Sequence, residues 1–337
     1  MNGYIGRLEE AIRATIIYST TTYSWFEKRS EQLPPTVKRA LTPESARAYL
    51  LFNLETRLYA DFYCHGFARP TVQEAADPLV RGMTPFVEVL SGANRGSGYR
   101  EDGWEVRAIE DGKVVVRRDG LELWVRPEDC LAEQGSPIGP GMRLSLRFPK
   151  DLLGISPGFY MALGDERLTS DTPQDLVRFY FNITGAGAVQ FVQTATSLLN
   201  SAHLPFKLKV LNDPARFTRC DAAVVYVRKS NYGAASEMLA RIYPRVSTSL
   251  RPVTPAFTKP LAPGVGFAED PGGGESFGLH RCRLLADGMI RAYEQGKKSV
   301  NERLEAVVDR FAEEGISVEK PFLNPNSTDD YEFQVTK

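Results

Sequence analysis

Two lysines separated by one residue are the side chains in this sequence best placed to do chemistry. They lie in the run Phe-Lys-Leu-Lys-Val at 206–210, where apolar and cationic residues alternate. Because successive side chains of a β-strand point to opposite faces, Lys207 and Lys209 would share one face, about 7 Å apart, with the apolar residues on the other. The pattern predicts a strand with one buried face and one cationic face.

Two neighbouring segments carry polar residues in the same alternation. In the run Arg-Phe-Tyr-Phe-Asn, the side chains of Arg178, Tyr180 and Asn182 would share one face. In a third segment, Tyr226 would share a face with Arg228. Periodicity alone allows two interpretations of these strands: a surface that binds an anion, or the solvated face of a half-covered antiparallel sheet.

Two connections near these strands carry further groups that bind anions. Arg216 and Arg219 lie in a turn-rich connection after the lysine strand, and a guanidinium binds phosphate or carboxylate through two parallel hydrogen bonds. The long loop 251–274 is rich in Pro and Gly and ends in three glycines before Ser276, at a predicted helix start. Backbone N–H groups there would attract an anion, although a flexible turn before a helix cap explains the glycines equally well.

Composition and motifs exclude several classes of function. Lys and Arg number 41 against 42 Asp and Glu, so the formal net charge is -1 and no global field draws the chain to nucleic acid or to an anionic membrane. The three histidines are far apart and outside any HExxH or paired-cysteine motif. Walker A and strand-associated GxGxxG motifs are absent as well. We expect no metal, no cofactor, and neither a nucleic-acid nor a membrane partner.

The cysteines and the N-terminal residues bear on localisation. The four cysteines are scattered without a CxxC pair, which favours a reducing compartment. Glu9, Glu10 and Arg13 interrupt the apolar residues at the N-terminus, unlike the apolar region of a signal peptide or a membrane span. We therefore expect a cytoplasmic protein.

Hydrophobic periodicity predicts an α+β fold. We expect three parts: a helical N-terminal region at 1–100, a small antiparallel β subdomain at 101–150, and a C-terminal α+β domain at 151–337. The change of period from helix to strand after residue 100, with hairpin signals at Asp111-Gly112 and Asp119-Gly120, marks the β subdomain. In the C-terminal part, the predicted strands are 177–183, 206–211 and 221–228, and the predicted helices are 187–201, 233–243, 276–292 and 300–314.

Four runs in the C-terminal part resemble the HopA family of type III effectors. The runs are LPFKLKVLND at 204–213, RFTRCDAAVVY at 216–226, PAFTK at 255–259 and SFGLHR at 276–281. That family includes bacterial homologues found in class V lanthipeptide and thioamitide biosynthesis. The resemblance covers residues 177–292.

The same stretch is remotely similar to the effector phosphothreonine lyases, which remove phosphate from phosphothreonine by β-elimination. The residues around Lys209 match the strand that supplies their base, so the resemblance implies that Lys209 is the general base. Counting back from Tyr226 reaches Arg216, which matches their phosphate-binding arginine. Arg228 matches a lysine beyond the same tyrosine. The resemblance also implies a phosphothreonine-lyase-like fold for the C-terminal domain.

The sequence departs from the lyases at the general acid. Where those enzymes carry a histidine, this chain has Tyr180. The proton for the departing phosphate would come from Tyr180 or from His280, or the surrounding cations make full protonation unnecessary. These alternatives stay open.

The residue types suit an elimination. Removal of a Cα proton beside an amide places negative charge on the carbonyl oxygen, and the departing phosphate carries nearly two charges, so donors are needed at both places. A lysine base must be neutral although its reference pKa is about 10.4, and the charge of Lys207 would lower the pKa of Lys209. The candidate phosphate- and substrate-binding residues are Lys207, Arg216, Arg219, Tyr226, Arg228, Lys259, Arg281 and Asn182.

The resemblance implies a lyase that eliminates phosphate from phosphoserine or phosphothreonine of a ribosomally made precursor peptide, which gives dehydroalanine or dehydrobutyrine. Its partners would be that peptide and a separate kinase. The main alternative is a non-catalytic protein that binds phosphopeptides or acts as a scaffold for the kinase. A cyclase acting after dehydration is a weaker alternative.

Overall fold

The computed structural model describes residues 3–66, 85–132, 137–169 and 175–335, and it has the predicted α+β fold. Within these ranges, antiparallel strands form sheets of three, five and seven strands, and helices cover both faces of the largest sheet. No helix in the described ranges is both long and apolar enough to cross a membrane.

The N-terminal region combines helices with a small sheet. Its helices are α1 (Tyr4–Ala14), α2 (Pro35–Ala40), α3 (Pro43–Arg57), a π-helix (Leu58–Tyr63) and α4 (Phe86–Ala93), and its strands are β1 (Thr15–Ser19), β2 (Thr22–Trp25) and β3 (Lys28–Arg29). Thr42 caps α3 by accepting a hydrogen bond from the backbone N–H of Ser45. The region predicted to be helical also contains β1–β3, where β-branched and aromatic residues favour strands.

A five-stranded antiparallel sheet follows. Its strands are β4 (Arg100–Glu110), β5 (Lys113–Arg118), β6 (Leu121–Val125), β7 (Cys130–Leu131) and β8 (Arg143–Arg147), in the order β6-β5-β4-β8-β7. The two predicted hairpin turns are present, and Asp111, Gly112, Asp119 and Gly120 all have positive φ, as two-residue hairpin turns require. This sheet has its own small hydrophobic core around Trp104.

The seven-stranded sheet carries most of the predicted site residues. Its strands are β9 (Asp151–Leu152), β10 (Phe159–Leu163), β11 (Leu176–Phe181), β12 (Phe206–Leu211), β13 (Ala223–Arg228), β14 (Lys259–Ala262) and β15 (Val265–Glu269). They are ordered β14-β15-β11-β13-β12-β10-β9. The helices of this part are α5 (Gly185–Ser201), α6 (Tyr232–Val246), α7 (Phe277–Glu294) and α8 (Val300–Glu313).

Two features of this sheet differ from the prediction. The loop expected at 251–274 contains the β14–β15 hairpin, where Gly264 has φ +77 and an added Cβ would lie 2.5 Å from the backbone oxygen of Arg251. β9 and β10 are also additional strands. Both pairs are stabilised by contacts with distant strands, which local periodicity does not reveal.

Helices cover both faces of the seven-stranded sheet. α5 and α6 cover one face, where the ring of Phe181 contacts Phe191 and the ring of Phe179 stacks on Tyr232. On the opposite face, Tyr180 contacts Phe277 at the start of α7. The solvated-face interpretation is therefore wrong for β11, where Tyr180 is 2% exposed and Arg178 7% exposed.

Candidate active site

A cavity of about 360 Å³ lies on the sheet face that carries the paired lysines. Four strands, β10 to β13, form its floor, and the π-helix and the residues just before α7 form its walls. The predicted site residues that line it are Lys207, Lys209, Tyr180 and Tyr226.

Strand register explains why these residues meet. Lys209 lies opposite Val224, which lies opposite Tyr180 on the next strand. One row further along the sheet, Tyr226 lies between Lys207 and Arg178. Because paired residues of adjacent strands project to the same face, the rows place both lysines on one surface with Arg178 and Tyr180.

Lys209 is half-buried, and its ammonium makes no hydrogen bond or ion pair with the described residues. The Nζ atom lies 5.6 Å from the centre of the Phe159 ring and 6.0 Å from that of Tyr226. Burial lowers the pKa of Lys209, and the positive charges of Arg178 and Lys207 lower it further, against an opposing effect of Asp221. Lys209 therefore has the environment that a lysine base needs.

Arg178 is a site residue that the sequence prediction omitted. Its Nε donates a hydrogen bond of 2.8 Å to Oδ2 of Asp270, and its Nη2 donates one of 2.8 Å to the backbone oxygen of Glu275. The guanidinium also lies 5.3 Å from the centre of the Tyr226 ring. Alternation placed Arg178 on the correct face, but only the tertiary structure reveals the buried pair with Asp270.

Arg219 lies behind one wall of the cavity and is neutralised there. Its guanidinium donates two hydrogen bonds of 2.7 Å to the carboxylate of Asp221 and one of 2.9 Å to the hydroxyl of Tyr59. Asp221 and Tyr59 line the cavity, whereas Arg219 does not. Tyr59 lies on the π-helix, 160 residues away in sequence, so no local signal identified it.

Two tyrosines face the end of the cavity next to α7. Tyr180 and Tyr63 are both buried, and burial raises the pKa of each phenol. The hydroxyl of Tyr180 makes no hydrogen bond with the described residues, although Tyr63 and Arg178 are near enough to influence its pKa. The ring of Tyr63 lies against Gly278, where an added Cβ would approach its Cε1 to 2.4 Å.

Arg216 lies beside the start of β10, where Phe159 lines the cavity. Its guanidinium packs on Gly158, which precedes Phe159 and has φ +80, and a Cβ at Gly158 would lie 1.9 Å from Nη1. The guanidinium makes no hydrogen bond or ion pair with the described residues. Arg216 is thus a cation available near the cavity.

Comparison with known proteins identifies the C-terminal part of the chain. The model of the HopA1 effector protein family matches residues 153–323. The chain belongs to this family. The matched region contains every predicted site residue, including both lysines of β12.

Two solved structures of effector proteins are similar to the chain. The effector protein from Pseudomonas syringae pv. tomato strain DC3000 is 12% identical, with a TM-score of 0.46, over 83% of this chain and 96% of that chain. The effector protein from Pseudomonas syringae pv. syringae strain 61 is 15% identical, with a TM-score of 0.43, over 82% of this chain and 98% of that chain. No curated protein matches the chain.

Lys259 and Arg281 belong to the matched region but lie outside the cavity lining. The ammonium of Lys259 donates hydrogen bonds to Asp329 and to the backbone oxygen of Tyr331. Arg281 is fully buried, and its guanidinium donates to the backbone oxygens of Pro321 and Leu323. Both cations therefore hold the C-terminal segment 316–331 and are not free to bind phosphate.

Three other candidates also lie outside the lining. His280 pairs through Nδ1 with Arg281, and burial together with the charge of Arg281 lowers its pKa to about 4. Arg228 donates hydrogen bonds to Thr169. The amide of Asn182 donates to the backbone oxygen of Val253. Within the described ranges, no group of His, Cys, Asp or Glu side chains is arranged to hold a metal ion.

Proposed function

We propose that this protein is a lyase that removes phosphate from phosphoserine or phosphothreonine by β-elimination, with Lys209 as the general base. The observation that carries the proposal is the ammonium of Lys209, which is half-buried, has no ion-pair partner among the described residues, and has a lowered pKa. A lysine in water is protonated at neutral pH, and this environment favours the neutral form.

The elimination needs few groups. Neutral Lys209 takes the proton from Cα of the phosphorylated residue. The electrons of the C–H bond then form a double bond between Cα and Cβ as the Cβ–O bond breaks, and phosphate leaves with the electrons of that bond. The organic product is dehydroalanine from phosphoserine or dehydrobutyrine from phosphothreonine.

The cations near Lys209 suit the departing group. Lys207 is exposed in the cavity and Arg216 lies beside Gly158, and neither has an ion-pair partner among the described residues. Phosphate bound between them would have its charge compensated before and after the bond breaks. This arrangement supports phosphate departure without a histidine acid in the described lining.

The resemblance to homologues in lanthipeptide and thioamitide biosynthesis supports a peptide substrate. We propose a ribosomally made precursor peptide, phosphorylated by a separate kinase. An opening on the sheet face, with Lys207 exposed, suits a side chain that enters from a polypeptide and not a small free substrate.

The second candidate is a protein that binds phosphopeptides without eliminating phosphate. The position of His280 favours it, because this histidine lies outside the cavity lining and has a pKa of about 4. The same unpaired cations would then bind the phosphate, and no bond would break.

Purified protein incubated with a phosphothreonine peptide separates the two candidates. The lyase releases inorganic phosphate and leaves a peptide lighter by one water than its unphosphorylated form, as mass spectrometry would show. Lys209→Met should abolish phosphate release while retaining peptide binding, and Ser230→Ala, away from the cavity, should match the wild type. Release by Lys209→Met would contradict the assigned base. Binding without release by the wild type, even with the kinase present, would favour the second candidate.

A further inference from the structure

Tyr180 brings an unused hydrogen-bond donor into the cavity. Its hydroxyl is buried and makes no hydrogen bond with the described residues, although Tyr63 and Arg178 lie close to it. Buried hydroxyl groups in folded proteins are usually paired, because an unmade hydrogen bond is costly away from water. A donor without a partner that lines a cavity is available to an acceptor atom of a ligand.

The start of α7 packs against the ring of Tyr180. The Tyr180 ring lies 6.3 Å, centre to centre, from the ring of Phe277, the first residue of the helix. α7 has 18 residues, and Ser276 supplies no side-chain cap. The first N–H groups of the helix therefore lack partners within the helix, and its positive end lies just beyond Ser276, which lines the cavity.

The two ends of the cavity differ in charge. At the α7 end, Arg178 pairs with Asp270 and Arg283 pairs with Glu275, so cations and carboxylates balance. At the other end, Lys207 and Lys209 have no carboxylate partner among the described residues. A phosphate dianion is attracted to the unpaired lysines, whereas neutral donors suit a single charge that develops only during the reaction.

We propose that the Tyr180 hydroxyl, next to the positive N-terminal end of α7, forms an oxyanion hole for the carbonyl oxygen of the residue whose Cα proton Lys209 removes. This role rests on the proposed elimination. As the C–H bond breaks, its electrons move onto the carbonyl oxygen, and the Tyr180 hydroxyl donates a hydrogen bond to that oxygen. When the electrons return to form the Cα–Cβ double bond, the Cβ–O bond breaks and phosphate leaves. Tyr180 keeps its proton throughout and is not the acid.

A substrate analogue that cannot lose phosphate isolates this role. In a phosphonate peptide, a methylene group replaces the bridging oxygen, so proton removal is possible but elimination is not. In D₂O, the wild-type protein should exchange the Cα proton of the analogue for deuterium, which mass spectrometry detects. Tyr180→Phe should slow this exchange about 100-fold, as expected for the loss of one donor from an oxyanion hole.

A matched control is Tyr243→Phe, which removes a hydroxyl that donates to Pro263 away from the cavity, and it should exchange at the wild-type rate. If Tyr180 were instead the acid, Tyr180→Phe would slow phosphate release but leave exchange unchanged. That result would overturn the oxyanion hole and leave the proposed function intact. A wild type that neither exchanges the analogue nor releases phosphate would overturn both.

Thermal unfolding separates a catalytic role from a structural one. Because the Tyr180 hydroxyl has no partner, Tyr180→Phe should leave the Tm unchanged or raise it. A fall in Tm together with weaker binding of the phosphonate peptide would instead show that the hydroxyl supports the fold, and would overturn the assignment.

Discussion

Burial and neighbouring positive charges both lower the pKa of Lys209. Burial disfavours the ammonium, and Arg178 and Lys207 repel it, so that the pKa falls below that of an ordinary lysine. Asp221 opposes this effect but is engaged by Arg219. Burial and the neighbouring cations together favour the neutral form of Lys209, which the proposed role as base requires.

The effect of Lys207 can be measured in the pH dependence of the reaction. Activity requires neutral Lys209, so kcat/KM should rise with pH until the pH exceeds the pKa of Lys209. Lys207→Met removes a positive charge that lowers this pKa, so the pKa should rise and the ascending limb should move to higher pH. Lys207→Arg keeps the charge and should leave the limb in place. Coincident limbs for Lys207→Met and the wild type would refute the coupling.

At the scale of elements, α7 connects the candidate site to the packing of the helices. Its N-terminal end contacts Tyr63 through Gly278, and its middle packs on α8 through Gly288. At both glycines an added Cβ would collide with a neighbour, at 2.4 Å from the Tyr63 ring and at 2.6 Å from Cα of Val307. The helix therefore needs glycine at two positions, one against the cavity wall and one against α8.

These glycines provide a pair of matched variants. Overpacking in Gly278→Ala and in Gly288→Ala should each lower the free energy of unfolding by about 1–3 kcal/mol. The higher helix propensity of alanine should offset up to about 1 kcal/mol of this loss. Only Gly278→Ala should also lower the rate of phosphate release, because it displaces Tyr63 in the cavity wall. Urea unfolding and the release assay below the Tm measure the two effects. Equal loss of activity in both variants would show that stability alone is responsible.

At the scale of the whole molecule, the C-terminal segment 316–331 packs against the end of β15 through a buried carboxylate. Glu269 is 1% exposed and accepts hydrogen bonds from Lys229, from the Tyr331 hydroxyl and from the backbone N–H of Asn324. The side-chain amide of Asn324 also donates to the backbone oxygen of Asp270, the partner of Arg178. The segment is thus connected to the cavity by a short chain of contacts.

The buried carboxylate should make stability depend on pH. Burial alone would raise the pKa of Glu269, but the hydrogen bonds from Lys229, Tyr331 and Asn324 hold it below its usual value. A lowered pKa in the folded protein stabilises the fold at neutral pH, and this stabilisation is lost as the pH falls through the ordinary pKa of a glutamate, about 4.3, and below it. Glu269→Gln should therefore be less stable than the wild type at pH 7, and the difference should shrink at pH 4. Urea unfolding at both pH values measures it, and a constant difference would contradict the account.

Much of the local structure followed from the sequence. The bounds of β12 at 206–211 agree with the prediction, and so do the hairpin turns at Asp111-Gly112 and Asp119-Gly120. These features depend on alternation and on turn residues, which act over a few neighbouring positions. The β14–β15 hairpin was missed because its edge placement depends on pairing with β11, far away in sequence.

Alternation along each strand thus determined which side chains share a face, and so placed Lys207 and Lys209 together. Only the tertiary structure decided which cations remain available, because ion pairing depends on contacts between distant parts of the chain. It paired Arg219 with Asp221 and directed Lys259 and Arg281 to the C-terminal segment. In the sequence, all of these cationic residues are equivalent candidates. In the folded protein, a cation that pairs with a carboxylate or a carbonyl group differs from one that has no such partner.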